Sequence, residues 1–185
     1  MNSLVKIILN IIPRSILTRL SFLLKPLIKI YLRGNKYVDP IDGSSFRKFL
    51  PYGYNNVREN ALSPSTFSLE RHRLLWLYLK NETDFFNKDL KVLHFAPETA
   101  FLEKFKKLKN ISYETIDLNS PLANIKADIC DLPLDDESYD FILCNHVLEH
   151  VIDDKKAMQE LYRVLKKDGI GIFQVPMNIS NKKTY

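Results

Sequence analysis

The sequence predicts an α/β fold built on a parallel sheet, and three observations carry that prediction. From Leu90 onward, short runs rich in β-branched and aromatic residues alternate with helical patterns, as βαβ units require. Acidic and amide residues stand where those runs end, and a parallel sheet places its ligand beyond the carboxyl ends of its strands. The length of 185 residues, with 45% hydrophobic and 26% charged, supplies one sizeable core plus an appendage rather than two large domains.

The chain opens with a segment, 1–36, that is rich in Leu and Ile. It carries Lys6, Arg14, Arg19, Lys25, Lys29, Arg33 and Lys36 and no acidic residue. These charges interrupt every apolar run well before the roughly 18 uncharged residues a spanning helix needs. The apolar run from Ile7 to Pro13 is short and no small-residue cleavage site follows it, which argues against a cleaved leader. Pro13 and Pro26 are expected to divide the segment into two or three short helical pieces. Basic residues beside an apolar face suit a peripheral contact with an anionic membrane, and equally an amphipathic helix packed on its own domain or a second subunit.

The basic balance of the protein is a property of that segment. Of 27 Lys and Arg and 22 Asp and Glu, seven basic residues lie in 1–36, leaving 20 against 22 in 37–185. No basic face remains of the kind nucleic acid would require. Cys130 and Cys144 are widely spaced and match no CxxC pattern, so neither a disulfide framework nor a cysteine-built zinc site is indicated, which fits a reducing, cytoplasmic setting, at most peripheral at the inner membrane face.

Between 37 and 83, Asp39-Pro40-Ile41-Asp42-Gly43 and Ser63-Pro64-Ser65-Thr66 read as two turns. Ser68 stands as an N-cap signal before a helix whose stripe includes Leu74, Leu75, Leu77 and Leu79. Arg71, His72 and Arg73 on its first turns could meet an anionic substrate, but a solvated or salt-bridged face is the reading preferred.

From 84 to 185 the expected order is strand 91–96, helix 100–108, strand 111–116, short strand 125–127, strand 139–145, helix 153–167 and strand 169–176. Asp153 and Asp154 at the start of the last helix and Lys166 and Lys167 at its end would complement its dipole, with Gly169 turning the chain out. Residues ending the strands are then the candidates for chemistry: 94–98, Asp117, Asp128 and Asn145. Asp117, about 20 residues after the first turn, can accept the hydroxyls of an adenosine ribose. Asp128 can accept from an adenine amino group while Ile129 offers the ring an apolar face.

The stretches VLHFAPE, YETIDL, ADICDLPLDDESYDFILCNHVLEHV and ELYRVLKKDGIGIFQVP closely resemble the class I S-adenosylmethionine-dependent methyltransferases of the type 11 kind, over residues 90 to 178. The resemblance implies a Rossmann-like sheet and S-adenosyl-L-methionine as cofactor. Carried over, His94, Ala96, Pro97 and Glu98 form the methionine-gripping loop, Asp117 and Leu118 hold the ribose, and Asp128 and Ile129 hold adenine. Asn145 and His146 stand near the methyl end, His146 being the candidate to contact or deprotonate the acceptor. That loop, FAPETA, contains none of the glycines usual in the family, so Ala96 and Pro97 must make its turn by other means.

The same resemblance reaches a bacterial group in which two cysteine knuckles form a zinc ribbon ahead of the catalytic domain. Asp39, Asp42, Ser63 and Thr66 stand where those cysteines would be, and such hard, weak ligands predict no zinc. His146 to His150 also spell HxxEH, an inverted zinc-peptidase pattern, but it directly follows a strand and lacks the context that motif needs.

The family's sheet has seven strands, and the sequence provides five, so a truncated sheet or one completed by a partner chain is expected. The expected activity is methyl transfer to a small-molecule, glycan or lipid-precursor acceptor. The alternatives are an inactive cofactor-binding remnant and a membrane-associated interaction module.

Overall fold

The computed structural model describes residues 14–53 and 56–176, with side chains from Leu23. It divides into two compact units, Met1–Asn81 and Glu82–Tyr185.

The first unit contains helix α1 (Arg14–Tyr31), strands β1 (Arg33–Val38) and β2 (Ser45–Phe46), strands β3 (Leu50–Tyr52) and β4 (Arg58–Leu62), and helix α2 (Glu70–Asn81). Strands β1 and β2 pair antiparallel, as do β3 and β4. Pro13 lies outside the described residues, and α1 runs straight through Pro26 rather than breaking there. Pro26 is exposed, so the carbonyl that loses its amide partner can be hydrated. Ile28 of α1 and Leu32, just after the helix, pack against Phe46 and Phe49 of the hairpin region.

The two expected turns fold as a matched pair. In the first, Asp39 N–H donates to Ser44 O and Gly43 N–H returns to Asp39 O; in the second, Ser63 N–H donates to Ser68 O and Phe67 N–H to Ser63 O. Side chains repeat the pattern: Asp39 Oδ1 and Ser63 Oγ each accept the amide two residues on, and Asp42 Oδ1 and Thr66 Oγ1 do likewise. Gly43 at φ 72° and Phe67 at φ 57° close equivalent positions in the left-handed region. The pair is knitted together by Thr66 Oγ1 donating to Asp39 Oδ2 at 2.5 Å, Ser68 Oγ to the same oxygen at 3.3 Å and Ser65 Oγ to Asp42 Oδ1 at 3.1 Å. Asp39 is fully buried, and these bonds satisfy a carboxylate that would otherwise be costly inside.

Ser68 therefore does not cap α2, its hydroxyl being turned to Asp39; the buried His72 accepts the Leu69 amide on Nδ1 at 3.0 Å instead. Arg73 faces the interior of the unit, not solvent. Its Nη1 donates to Ser68 O at 2.7 Å and Ala61 O at 3.0 Å, and its guanidinium lies over the Phe49 ring.

The second unit is the predicted α/β sheet: β5 (Leu90–Phe95), helix α3 (Thr99–Phe105), β6 (Ile111–Asp117), β7 (Ile125–Lys126), β8 (Tyr139–Asn145), a 3-10 turn (Leu148–His150), helix α4 (Asp154–Val164) and β9 (Leu165–Gln174). The five strands are ordered β7-β6-β5-β8-β9 and every pairing is parallel. Each β8 side chain from Phe141 to Asn145 is buried, because helices cover both faces of such a sheet. One side packs Leu93, Ile142, Ala157, Leu161 and Val164; the other stacks Phe85, Phe101, Phe105 and Phe141, with Phe101 and Phe105 parallel at 5.2 Å.

The last helix ends earlier than its charge pattern implies. It stops at Val164 and Leu165 enters the strand, so Lys166 and Lys167 sit in β9 and Gly169 is not its C-terminal turn. Tertiary partners override the dipole: Lys166 Nζ binds Asp140 Oδ1 at 2.7 Å, and Asp140 Oδ2 accepts the Lys91 amide at the start of β5. Asp153 does cap the helix, accepting Lys156 N–H.

Candidate functional site

The order β7-β6-β5-β8-β9 places the topological switch point between β5 and β8, where the connections leave in opposite directions and a crevice opens beyond the strand ends. A cavity of about 510 Å³ lies there. It is lined by the end of β5 (Phe95, Ala96), the end of β6 (Ile116, Asp117, Leu118), the segment after β7 (Ala127, Asp128, Ile129, Cys130) and the segment after β8 (His146, Val147, His150 to Asp153). Its walls are mainly apolar, with the carboxyl residues Asp117, Asp128 and Asp153 and the imidazoles of His146 and His150 among them, the composition of a small-molecule site.

Ala96 makes the turn that the sequence supplies no glycine for. Its φ is +46°, in the left-handed region, and its amide donates to Ile116 O at 3.0 Å, which pins the β5 loop against β6. Asp117 uses one oxygen to shape its own loop: Oδ1 accepts Asn119 N–H at 2.8 Å and Ser120 N–H at 2.6 Å. Asp128 likewise accepts Cys130 N–H on Oδ1. Each acid is thus a turn former and a cavity residue at once, so the two roles are not alternatives.

Glu98 and Asn145 lie just outside that lining and bridge the switch point, Asn145 Nδ2 donating to Glu98 Oε2 at 3.1 Å. Asn145 is buried, and its Oδ1 has no hydrogen-bond partner among the described residues, so it can serve an incoming N–H or ammonium donor. Pro97 is buried in the same loop. His94 faces the opposite side of β5 from Phe95, as alternate strand residues must. It is fully buried among Phe101, Phe105 and Tyr113, with Nδ1 2.7 Å from Tyr113 Oη. Burial, with the Glu98 charge adding to it, raises the Tyr113 pKa and keeps that phenol protonated.

His146 is held by backbone and side chain together. Its φ is +55°, its amide donates to Gln174 O at 2.7 Å, and Nδ1 sits 3.1 Å from Glu149 Oε1. This leaves Nε2 as the ring nitrogen available to the cavity. Residues 148–150 form a single 3-10 turn, so His146 and His150 do not share an α-helical face as an HxxEH zinc site requires. Among the described residues no group of three or more His, Cys, Asp or Glu is placed to hold a metal ion.

The segment after β8 contributes more of the wall than sequence reasoning assigned to it. Val147, His150, Val151 and Ile152 all reach the cavity, and Ile152 is fully exposed at its rim. A signal was present in the eight residues between Asn145 and Asp154, which fit neither strand nor helix. Cys144, by contrast, is buried in the sheet, and that burial, with the Glu149 charge, pushes its thiol up to about 12, which removes it as a nucleophile.

A switch-point crevice with an acid at the end of the second strand and another after the third defines a nucleotide-type cofactor domain. Residues 82–173 match the methyltransferase domain family of type 11, and the chain belongs to that family, the class I S-adenosylmethionine-dependent methyltransferases. It is 33% identical over 116 residues to the ubiquinone/menaquinone biosynthesis C-methyltransferase UbiE of Campylobacter jejuni, covering 53% of this chain and 46% of that protein. It is 33% identical over 67 residues to the demethylmenaquinone methyltransferase of Chlamydia caviae, covering 36% of this chain and 29% of that one. The crystal structure of YcgJ from Bacillus subtilis aligns at 23% identity and a TM-score of 0.41, over 55% of this chain and 50% of that chain. The alignments thus span about half, or less, of the length of these relatives.

Proposed function

We propose that this chain binds S-adenosyl-L-methionine in the switch-point cavity and transfers its methyl group to a small apolar acceptor of the lipid-precursor kind. The observation that carries the reading is the convergence of Asp117, Asp128, Ala96 and His146, from four separate strand ends, on one cavity of about 510 Å³. The relatives named for quinone biosynthesis favour a ring-bearing lipid precursor over a glycan.

The residues present fit the cofactor. Asp117 has an oxygen beyond the one that caps its loop, suited to ribose hydroxyls. Asp128 and Ile129 present an acceptor and an apolar face to the base, and the buried Oδ1 of Asn145 suits the amino group of the methionine portion. When bound, the sulfonium supplies an already activated methyl group. The protein's share of the work is then alignment and exclusion of water, for which the apolar walls and the Glu98–Asn145 hydrogen bond serve. Glu149 orients the His146 ring so that Nε2 can hold or accept a proton from the acceptor. The glycine-free loop gives no support to an inactive remnant, since Ala96 already adopts the conformation a glycine would supply.

The test is calorimetric titration with S-adenosylhomocysteine. Asp117→Asn keeps an oxygen for the loop amides and removes the charge, and is expected to weaken binding about 10- to 100-fold, as loss of a charge-assisted partner to buried hydroxyls costs about 1–3 kcal/mol. A folded wild-type sample that does not bind overturns the reading. In a methyl-transfer assay with a demethylated quinone acceptor, His146→Ala is expected to lower turnover about 100-fold; unchanged turnover removes His146 from the chemistry and leaves the cofactor site standing.

A further inference from the structure

Helix α1 has two apolar faces, and only one of them is used inside the described protein. Ile28 and Leu32 pack on Phe46 and Phe49. Leu23, Leu27 and Ile30, spaced i, i+4 and i+7, form a second stripe that is 63% to 74% exposed, with Leu24 and Tyr31 beside it. A surface helix ordinarily turns polar residues outward, so a stripe of large aliphatic side chains there needs an apolar partner.

The charge around the stripe identifies that partner. The exposed Arg33, Lys36, Arg47 and Lys48 are near it in the chain or on the adjoining β1–β2 hairpin, and the Arg47 guanidinium lies over the face of Tyr31 at 4.5 Å. The first 38 residues contain no carboxylate, and the first acid, Asp39, is fully buried among hydroxyls. The surface is therefore apolar along one line with four exposed cations beside it, while the exposed Asp42 lies at the turn of the hairpin. A protein groove would supply the first complement, and an anionic bilayer supplies both: acyl chains at the depth of the stripe and phosphates at the depth of the guanidinium and ammonium groups. No helix among the described residues is long and apolar enough to cross a membrane, so the contact is one of lying on the surface.

We propose that α1 docks the protein on an anionic phospholipid surface through Leu23, Leu27 and Ile30, with Arg33, Lys36 and Arg47 engaging the headgroups. Docking there would give the enzyme its acceptor at the surface where lipid precursors reside, but the contact is independent of the cofactor site. No residue of the stripe lines the cavity.

The experiment is flotation of the full chain with phosphatidylcholine vesicles and with mixed phosphatidylcholine and phosphatidylglycerol vesicles. The expected result is binding at least about 10-fold greater to the mixed vesicles, weakened in high salt as screening shortens. Leu27→Glu with Ile30→Glu should abolish binding. Because both residues are exposed, the variant should keep its circular dichroism and its S-adenosylhomocysteine affinity. Arg33→Gln with Lys36→Gln should reduce binding to the mixed vesicles toward the level of the neutral ones. Wild-type protein that floats with neither vesicle overturns the proposal, as does undiminished binding by the Leu27→Glu, Ile30→Glu variant. Sedimentation velocity separates the remaining occupant: a wild-type dimer that the same double variant makes monomeric, without vesicle binding, assigns the stripe to a second copy and also overturns it.

Discussion

At the scale of single residues, two positions that line the cavity hold backbone conformations that L side chains adopt reluctantly. Ala96 at φ +46° and His146 at φ +55° both line the cavity, and each donates an amide hydrogen bond to a neighbouring strand. A residue in that region costs about 1 kcal/mol relative to glycine, and a β-branched one more. Ala96→Gly is accordingly expected to stabilise the protein by up to about 1 kcal/mol, less the entropy glycine adds to the unfolded chain. Ala96→Val should cost about 2 kcal/mol and narrow the cavity mouth. Urea denaturation measures both, and a Val variant as stable as wild type would show that the φ constraint is absent in solution.

At the scale of elements, the segment 132–136 that precedes β8 has no secondary structure of its own and is held by two side chains of α4. Arg163 donates to Leu132 O, Leu134 O and Asp136 Oδ1, while Glu160 receives the guanidinium on both oxygens and the Leu132 amide on one. The hydrogen bonds from Arg163, opposed by partial burial and reinforced by the Leu132 amide, hold the Glu160 carboxyl down at about 2, against an ordinary 4.5. A carboxyl depressed by folding adds stability that is fully present above its ordinary value and is lost as pH falls toward the folded one. Glu160→Gln should therefore flatten the loss of stability between about pH 4.5 and pH 2 that wild type shows in acid titrations followed by circular dichroism. Identical profiles would mean the pair is too well solvated to matter.

At the scale of the whole molecule, the two units have separate cores, and the cavity is lined by residues 95–153 of the second unit alone. A ligand stabilises the unit it binds by about 2.7 kcal/mol at a concentration 100-fold above its dissociation constant. The single tryptophan, Trp76, lies in the first unit. Saturating S-adenosylhomocysteine is expected to raise the far-ultraviolet melting transition of the second unit by several degrees and to leave the Trp76 fluorescence midpoint in place. Equal shifts of both signals would show that the units unfold as one.

Sequence alone determined the parallel sheet, the strand ends that border the cavity, and the family, because period and turn chemistry are local and the motifs around Asp117, Asp128 and Asn145 are dense. It also marked Asp39, Asp42, Ser63 and Thr66 as equivalent positions, which the matched turns display. What it could not determine were roles set by partners distant in the chain. Strand alternation turned His94 toward Tyr113 and the α3 phenylalanines, and Asp140 drew Lys166 into a strand. Asp39 took the hydroxyl of Ser68 away from the helix it precedes. In each case a buried or half-buried polar group outweighed a local preference of a few tenths of a kcal/mol, since leaving such a group unsatisfied costs about 1–3 kcal/mol. Only the tertiary structure decides which partner it finds.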